Sequence, residues 1–536
     1  MAFPRLGAMT ATLDAAPATP GPTPGGSSSA APWRERILPP TDGRGGWLAT
    51  LAVGLLAGLL RFVRLDIPAG RIFDELYYAC DAQNLLRFGV EAATANDAND
   101  GSVSMRCTPT GEPGFIVHPP LGKWAIAAGM RLFGVDEFGW RVAAAVAGTL
   151  MVVVLIRVTR RMTGSTVLAC LAGLLLTVDG LHFVQSRVAM LDVFLAAWIL
   201  GAFACLVADR DAVRRRLAST DDDELAGWGP RLGVRAWRIA AGICLGAGLA
   251  TKWSAVYYAV VLVLLSVAWE VGARRTAGIR RPVRATLRRT LPGALPTLLV
   301  LPLALYVLSW LGWFLSDNGW DRRWAETHPA SGLGGLVPDA LRSLAQYHRE
   351  IFAFHDGLST PHPYQSHPSG WLLLARPVAY YYPADVTEGD YGCAAASCAR
   401  EVLSIGTPAI WWAAIPTLLA LLWFWVSRRD WRAEAMVLLV LTAIVPWVRD
   451  DLDGRTMFLF YALPAVPFLC IGLALVAGWA MGGATASARR RSVGTFGAAV
   501  YLSLVVLNFA YFYPVLAAQT LPYGDWIDRM WLGSWI

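Results

Sequence analysis

Two adjacent carboxylates, Asp74 and Glu75, follow the first strongly apolar run of the sequence. Adjacent side chains project in different directions from a helix or strand, so we expect one to enter a site while the other pairs or coordinates. A carboxylate placed beside a substrate hydroxyl can remove its proton as a general base. The following residues, 76–88, have apolar side chains at helical spacing and are predicted to form a helix lying flat on a membrane.

Cationic side chains near apolar segments form the second group. The sequence has only two lysines, Lys123 and Lys252, and each is followed by a tryptophan. Either lysine could be an interfacial anchor, or the two could bind an anionic headgroup. Ionisable side chains also border other apolar runs, where they usually face a protein interior or a wet cavity: Arg141, Asp179, His182, Arg187 and Asp192. For Arg187 and Asp192, a structural ion pair is the competing explanation.

One carboxylate and several cations match the requirements of glycosyl transfer from a lipid phosphate. The acceptor hydroxyl must lose a proton, and the departing phosphate needs its charge stabilised. A glycosidase needs a second carboxyl group to protonate its leaving oxygen, whereas phosphate leaves as a stable anion. The residue types therefore favour a transferase.

The composition sets the environment of these residues. The chain has 536 residues, 55% hydrophobic and 16% charged, with a mean hydropathy of +0.45. Soluble domains carry about 25% charged residues, so a water-soluble globule is excluded and an all-α polytopic membrane protein is predicted. The net charge of +7 reports orientation in such a protein and gives no reason to expect nucleic acid as a partner.

Apolar runs predict about eleven transmembrane helices, and arginine-rich connections place alternate loops in the cytoplasm. The predicted spans are 47–65, 138–157, 165–180, 187–207, 236–250, 253–269, 291–315, 408–426, 432–448, 456–479 and 494–516. Residues 1–46 are predicted to be a disordered cytoplasmic tail, and 47–516 a transmembrane catalytic domain. Within that domain, 66–137 and 316–407 are two long extracytoplasmic loops, and 517–536 follows as a short extracytoplasmic segment.

Four of the eight cysteines fall in the two long outer loops, where disulfides are chemically permitted. A bridge between Cys393 and Cys398 is plausible, and one between Cys80 and Cys107 is the weaker possibility. No further Cys or His at matching spacing indicates a zinc site.

Five motifs, taken together and in order, resemble the protein O-mannosyltransferases. They are Phe73-Asp74-Glu75, the segment 118–124 (HPPLGKW), the segment 186–192 (SRVAMLD), Thr251-Lys252-Trp253 and the segment 362–366 (HPYQS). The similarity extends from about Trp47 to the C-terminus and is greatest to the actinobacterial, polyprenol-phosphate-mannose-dependent members.

The resemblance implies a GT-C-type glycosyltransferase that moves mannose from polyprenyl phosphate to Ser or Thr of exported proteins, with inversion. It implies Asp74 as the base with Glu75 supporting it, and no required cofactor. A divalent metal stays an open question, because Asp74 and Glu75 could ligate one but no third and fourth oxygen ligand is evident. Implied donor-phosphate ligands are Arg141, Lys252, Arg187, Lys123 and Arg455; His118 and Asp192 have donor-binding or structural roles, and His362, Tyr364 and Gln365 bind the acceptor.

The resemblance also implies a cellular location and an orientation in the membrane. We expect a multi-pass protein of the bacterial cytoplasmic membrane with a cytoplasmic N-terminus, an extracytoplasmic active site and an association with the translocon as one option. The loop 316–407 is too short for the β-trefoil MIR domain of eukaryotic relatives, so local segments must select the acceptor.

Three alternatives remain open from the sequence. The enzyme could glycosylate a lipid or glycan instead of a protein, or the chain could transport an anionic lipid. The motif 362–366 could also be a loop packed by its own aromatic residues. The run 380–382 (YYY) is interpreted as an interfacial aromatic belt in preference to a sugar platform.

Overall fold

The computed structural model describes residues 43–95, 107–483 and 485–536. The predicted disordered tail therefore lies outside the described residues up to position 42. The first helix begins at Arg44, three residues before the predicted span.

The chain is almost entirely helical, and short strands occur only outside the long apolar helices in the part of the chain that is described. The first α-helices are α1 Arg44–Phe62, α2 Glu75–Phe88, α3 Leu121–Phe133, α4 Glu137–Thr163, α5 Thr166–Thr177, α6 Gly180–Gln185, α7 Asp192–Ala218, α8 Asp222–Ala226, α9 Ala236–Leu249, α10 Ala255–Thr276 and α11 Pro282–Arg289. They continue with α12 Leu291–Leu295, α13 Leu301–Ser309, α14 Leu311–Leu315, α15 Trp324–Thr327, α16 Asp339–Asp356, α17 Pro408–Arg428, α18 Trp431–Thr442, α19 Val445–Leu452, α20 Val466–Met481, α21 Ala488–Leu516 and α22 Tyr523–Ile527.

Nine helical stretches of the described residues are long and apolar enough to cross a membrane, and all nine fall at predicted spans. The two remaining predicted spans, 165–180 and 236–250, correspond to α5 and α9, which have 12 and 14 residues. A crossing needs about 20 residues, so these two helices are short for their predicted role. The polytopic helical fold is confirmed, while the count of eleven spans stays a prediction.

The centre of the bundle is formed by α7 and the stretch Leu459–Met481. Their apolar windows are 72% and 89% buried, against 11% for Leu291–Ser309 and for α21. Helix α7 packs against α4, α9 and α10, and α20 packs against α5, α17 and α21. The motif-bearing turn 186–192 at the start of α7 is therefore held by several neighbours, whereas Leu291–Ser309 and α21 present most of their surface outward.

Glycine permits the closest helix contacts, as expected where helices associate through backbone approach in lipid. A Cβ on Gly242 of α9 would lie 1.9 Å from the carbonyl oxygen of Thr297. A Cβ on Gly148 of α4 would lie 2.0 Å from Oγ of Ser186, at the start of the motif 186–192. Glycine at these two positions lets α9 approach the π-helical turn Pro296–Val300 and lets α4 approach the turn that holds Arg187.

Three small antiparallel sheets lie between the helices. Strand β1 (Ala92–Thr94) pairs with β2 (Pro109–Pro113), β3 (Val378–Tyr381) pairs with β6 (Val402–Ser404), and β4 (Val386–Thr387), β5 (Ser397–Arg400) and β7 (Thr520–Pro522) form the third sheet. In the third sheet Cys398 lies opposite Pro522 and Arg400 opposite Thr520, which joins the second long loop to the C-terminal segment.

The two long loops also contact each other. The backbone N–H of Ile116 donates to the hydroxyl of Tyr347 at 2.9 Å, and Nε2 of His355 lies 2.8 Å from the carbonyl oxygen of Val117. All three segments that were predicted to be extracytoplasmic therefore lie at one end of the helical bundle.

Both cysteine pairs that the sequence left open are disulfides: Cys80 with Cys107, and Cys393 with Cys398. The first ties α2 to the loop before β2, and the second closes the connection between β4 and β5. The bridge from Cys80 fixes the helix that begins directly after Asp74.

Candidate active site

A buried ion pair between Glu75 and Arg141 fixes the start of α2. Nε and Nη2 of Arg141 each donate to the Glu75 carboxylate at 2.8 Å, and neither side chain has exposed surface. The same carboxylate accepts from the backbone N–H of Ile72 at 3.0 Å and of Ala189 at 2.9 Å. Glu75 thus joins the first loop, α4 and the motif 186–192 through one fully bonded group.

The remaining N–H groups of Arg141 bind the loop that leads to the acid pair. Nη1 donates to the carbonyl oxygens of Leu65 and Pro68, and Nη2 donates to that of Gly70. With the two bonds to Glu75, all five N–H groups of the guanidinium are used inside the protein. Arg141 therefore has no N–H group left and positions the loop in this structure, while its role as a donor-phosphate ligand stays a prediction.

Asp74 comes directly after the loop that the Arg141 hydrogen bonds hold in place, and it is partly buried. Phe73 has φ of +49°, a left-handed conformation that is unusual for a side chain of this size. Its ring stacks on Tyr380 with centroids 4.4 Å apart and contacts Phe460 edge-on at 5.8 Å. This aromatic packing stabilises the turn. Asp74 interacts with Lys252, Asp192 and Tyr78, whereas Glu75 bonds Arg141.

Tyr380 therefore corrects the interpretation of 380–382 as an interfacial belt. Its ring is 4% exposed, and its hydroxyl accepts a hydrogen bond from Nε2 of Gln185 at 2.6 Å. Only Tyr382 of the three has a largely exposed ring, at 42%.

The electrostatic environment of Asp74 suits a general base. Burial raises the pKa of Asp74 to about 6, with the carboxylate of Asp192 adding to the shift, while Lys252 and a hydrogen bond from Tyr78 oppose it. The carboxyl group is then mostly ionised at neutral pH yet more basic than an ordinary aspartate.

Lys252 is the cation nearest to this carboxylate that the structure identifies. It sits between α9 and α10, and its Nζ donates to both oxygens of Asp192, at 2.9 and 3.1 Å. Nζ also lies 4.6 Å from the ring centroid of Tyr461. The structure thus brings together Asp74, Lys252 and Asp192, the three motif residues at the heart of the expected site.

Arg455 forms the next part of the site together with two histidines. Its Nη1 donates to Asp450 at 2.8 Å, its Nη2 lies 3.4 Å from Nδ1 of His355, and its Nε is buried without a partner. Burial, with the charge of Arg455 contributing, lowers the pKa of His355 to about 4, so the ring is neutral. The ring then donates from Nε2 to Val117 and accepts at Nδ1 from Arg455.

His118 stacks on His355, with ring centroids 5.2 Å apart. Burial and the positive charge of Lys252 hold the pKa of His118 well below its ordinary value. Since the charges of Lys252 and Arg455 both act on them, these stacked neutral rings lie near the two cations and can accept or donate hydrogen bonds without adding charge.

Lys123 lies close by in a separate network. Its Nζ is 2.7 Å from Glu91 and 3.3 Å from Asp81, and the side chain is 1% exposed. Two carboxylates compensate its charge, so Lys123 holds α2, β1 and α3 together. A donor-phosphate role for Lys123 would require one of these pairs to open.

Arg187 also forms its hydrogen bonds within the protein. Its Nη1 donates to the carbonyl oxygens of Leu60, Arg61 and Val63, and its Nη2 donates to that of Arg64. Leu60 and Arg61 lie in the last turn of α1, and Val63 and Arg64 follow its end, so Arg187 fixes the end of the helix and the residues after it. The role of Arg187 as a phosphate ligand stays a prediction. The alternative of an ion pair between Arg187 and Asp192 is wrong, because Asp192 pairs with Lys252.

The predicted acceptor motif forms a hydrogen-bonded turn beside Arg455. The backbone of His362 donates to the side chain of Gln365 at 3.1 Å, and the backbone of Tyr364 donates to Nδ1 of His362 at 3.1 Å. The His362 ring contacts Phe458 edge-on at 5.0 Å, and the backbone N–H of Ser366 donates to the carbonyl oxygen of Met457 at 2.8 Å. Gln365 is exposed and His362 and Tyr364 are partly so, which leaves them accessible to an acceptor chain.

Several residues of the site went unnoticed in the sequence. Tyr78 is four positions after Asp74 on the same helix face, a spacing that could have identified it. No sequence pattern connects His355 to Asp74, whereas Tyr461 ends the segment 455–461, which resembles a late motif of the family. No group of three or more His, Cys, Asp or Glu side chains arranged to hold a metal ion occurs within 43–95, 107–483 and 485–536.

Comparison with known families and proteins agrees with these motifs. A family described as dolichyl-phosphate-mannose-protein mannosyltransferase matches residues 116–312, and the C-terminal four-transmembrane region of protein O-mannosyltransferase matches 340–535. The polyprenol-phosphate-mannose–protein mannosyltransferase of Mycolicibacterium smegmatis (strain MKD8) is 38% identical over 510 residues, covering 92% of this chain and 94% of the relative. The protein of the same name from Corynebacterium glutamicum is 33% identical over 499 residues, covering 90% and 92%.

Among solved structures, the S. cerevisiae protein O-mannosyltransferase Pmt1-Pmt2 complex bound to the sugar donor is similar in fold. The TM-score is 0.68 at 14% identity, and the match covers 92% of this chain and 93% of that chain. This likeness confirms the GT-C-type fold.

A prediction follows from the Glu75–Arg141 pair. Arg141→Met leaves the Glu75 carboxylate buried and unpaired, so we expect unfolding to become easier by about 3–5 kcal/mol. The double variant Arg141→Met/Glu75→Gln removes both charges and should recover part of that loss. Thermal unfolding of the purified variants in detergent measures both effects. Equal stability of Arg141→Met and the parent protein would contradict the assignment of Arg141 as a positioning residue.

Proposed function

This chain belongs to the protein O-mannosyltransferase family, and on that premise we propose that it transfers mannose from polyprenyl-phosphate mannose to Ser or Thr hydroxyls of exported proteins. The observation that carries the proposal is the placement of Asp74, a carboxylate of raised pKa, beside the Lys252–Asp192 pair and on a loop held by Glu75 and Arg141. Relatives named for this activity support the choice of donor and acceptor.

In the proposed reaction, Asp74 takes the proton of the acceptor hydroxyl. The acceptor oxygen attacks the anomeric carbon of mannose from the face opposite the phosphate, so the configuration inverts. As the new C–O bond forms, the bond between the anomeric carbon and the phosphate oxygen breaks, and polyprenyl phosphate leaves with that electron pair. The proton on Asp74 then passes to solvent.

The developing charge on the departing phosphate needs a cation that is free to respond. Lys252 and Arg455 are the two predicted ligands that meet this need best, since Arg141 and Arg187 are bonded inside the fold. Lys252 has a third N–H beyond the two bonds to Asp192, and Nε of Arg455 has no partner. Each charge-assisted bond to phosphate is about twice as strong as a neutral one.

The acceptor is proposed to approach along His362, Tyr364 and Gln365. The turn that holds these residues packs on the segment 455–458, so a chain lying on it would pass close to Arg455. A lipid or glycan acceptor is the competing proposal, and transport of an anionic lipid is less well supported because the motif residues gather at one end of the bundle.

The membrane setting is also part of the proposal. The chain is a multi-pass membrane protein, and the arginine-rich connections favour a bacterial cytoplasmic membrane location with the N-terminus inside and the site outside. Exported acceptors would emerge there, which makes an association with the translocon reasonable.

The first test is transfer of labelled mannose from polyprenyl phosphate to a Ser/Thr-rich peptide by the purified protein. We expect label on the peptide, and a loss of about 10²–10⁴-fold in Asp74→Asn, because the amide cannot accept the proton. Asp66→Asn, an exposed carboxylate of the same loop, should keep near-normal activity. Near-normal turnover by Asp74→Asn would refute the base, and label found only on lipid or glycan would favour the competing acceptor.

The pH profile provides a second test. The base acts only when ionised, and the pKa of Asp74 is raised to about 6, so kcat/KM should fall as the pH drops through about 6 and level off above 7. Tyr78→Phe removes the hydrogen bond that lowers the pKa of Asp74, so this variant should move the fall to higher pH. A profile that is flat from pH 5 to 8, or a fall that Tyr78→Phe leaves in place, would contradict the assignment.

The proposed chemistry uses no cofactor or divalent metal, because Lys252 and Arg455 can balance the phosphate charge. We expect activity to survive dialysis against EDTA within about twofold, measured in the same peptide assay. A loss of tenfold or more that Mg²⁺ or Mn²⁺ restores would place a metal beside the donor phosphate instead.

A further inference from the structure

A cavity lined by arginines lies between the end of α10 and the start of α11. Its volume is about 580 Å³, and its wall includes Arg275, Arg280, Arg281 and Arg284. It is a depression open at the protein surface and does not enclose a ligand as a small-molecule pocket does. No acidic side chain lines it.

The four arginines are exposed and form no ion pair with any carboxylate in the part of the chain that the structure describes. Their neighbour Arg274 differs, because it bonds Glu270 at 3.1 Å. Four exposed guanidinium groups without a carboxylate partner give this surface a positive potential, which water and salt screen in part. The cavity therefore has the charge of an anion site.

The loop that carries these arginines is held in place. Ile279 is 3% exposed and packs in a small apolar cluster with Leu217 and Leu225. The backbone N–H of Ile279 also donates to the carbonyl oxygen of Arg274 at 3.1 Å. The cavity wall is thus anchored to α7 and α10.

The outer face of α11 is apolar and continues into the membrane-facing surface. Val283 and Leu287, one helical turn apart, are 51% and 49% exposed. Leu291, Leu295 and Leu299 continue this exposed face along Leu291–Ser309, the span that is only 11% buried. A helix with an apolar face and neighbouring arginines is typical of the boundary between acyl chains and headgroups.

This end of the bundle is distant from the proposed active site. Helix α10 begins beside Lys252 and runs for 22 residues before it reaches the cavity, a length of about 33 Å. At the same end, Arg238 is 6% exposed and its Nε and Nη1 are buried without partners. Arg238 therefore adds a guanidinium group without an ion pair to this end of the bundle, which lies away from Asp74.

We infer that the cavity of Arg275, Arg280, Arg281 and Arg284 binds the headgroup phosphate of an anionic phospholipid of the bilayer. The inference is independent of the proposed mannosyl transfer. Its occupant is a lipid and not a soluble phosphate because the exposed apolar face of α11 lies next to the arginines, where it would contact the acyl chains. Arginine also suits this ligand, since its planar fork bonds two phosphate oxygens at once.

The test measures lipid binding to the intact purified protein by native mass spectrometry. Phosphatidylglycerol, which is anionic, and phosphatidylcholine, which is zwitterionic, are titrated separately. We expect tighter binding of phosphatidylglycerol, and a loss of at least tenfold in the triple variant Arg280→Gln/Arg281→Gln/Arg284→Gln, since each such charge contributes about fivefold near an anionic headgroup.

Two control variants make the result specific. Arg214→Gln/Arg215→Gln/Arg216→Gln removes the same charge from the end of α7 and should bind phosphatidylglycerol within about threefold of the parent protein. Replacement of Arg280, Arg281 and Arg284 by lysine keeps the charge but removes the planar guanidinium that bonds two phosphate oxygens at once. The affinity of this lysine variant for phosphatidylglycerol should therefore fall between those of the parent protein and the glutamine variant. Mannosyl transfer in detergent, which depends on residues about 33 Å away, should remain in all three variants and shows that they are folded.

Four outcomes would overturn the inference: equal binding of the two lipids, an unchanged affinity in the glutamine variant, an equal loss in the α7 control, or displacement of the lipid by millimolar glycerol phosphate. The last outcome would identify a soluble phosphate as the ligand.

Discussion

The buried pair of Glu75 and Arg141 is the interaction on which the proposed site depends. A charge removed from water costs several kcal/mol, and that cost is offset only when every polar atom finds a partner. Here the carboxylate accepts four hydrogen bonds and the guanidinium donates five. The result is a rigid junction between the first loop, α4 and the turn before α7, and Asp74 is the residue adjacent to it.

This junction explains a division of roles among the cations. Arg141 donates hydrogen bonds to Glu75 and to backbone carbonyls, and Arg187 donates to backbone carbonyls. Lys123 lies between two carboxylates. Lys252 and Arg455 are less completely bonded, and the stacked neutral rings of His118 and His355 lie near them. Some buried cations of the bundle thus stabilise the fold, while Lys252 and Arg455 keep N–H groups that can bind an anionic substrate.

Much of the architecture could be predicted from the sequence, since apolar length and arginine-rich connections depend on local composition alone. The acid pair and both cysteine pairs were identified in the same way. The roles of Arg141 and Arg187 could not be, because a sequence gives the charge of a side chain but not the number of its N–H groups that the fold satisfies. Tyr380 was misjudged for a related reason: three consecutive tyrosines look interfacial, whereas strand alternation buries the first of them against Phe73. No sequence pattern could identify His355 as a site residue, because its partner, Arg455, is 100 residues away in the chain.

The central claim is that Asp74 meets the acceptor hydroxyl while Lys252 or Arg455 meets the donor phosphate, with the Glu75–Arg141 pair intact. The most direct measurement is a cryo-electron microscopy structure of Asp74→Asn with polyprenyl-phosphate mannose and a serine peptide bound. The account predicts the serine oxygen about 3 Å from the side chain at position 74 and the phosphate against Lys252 or Arg455. A phosphate bound by Arg141 after it has left Glu75, or a serine oxygen far from position 74, would contradict it.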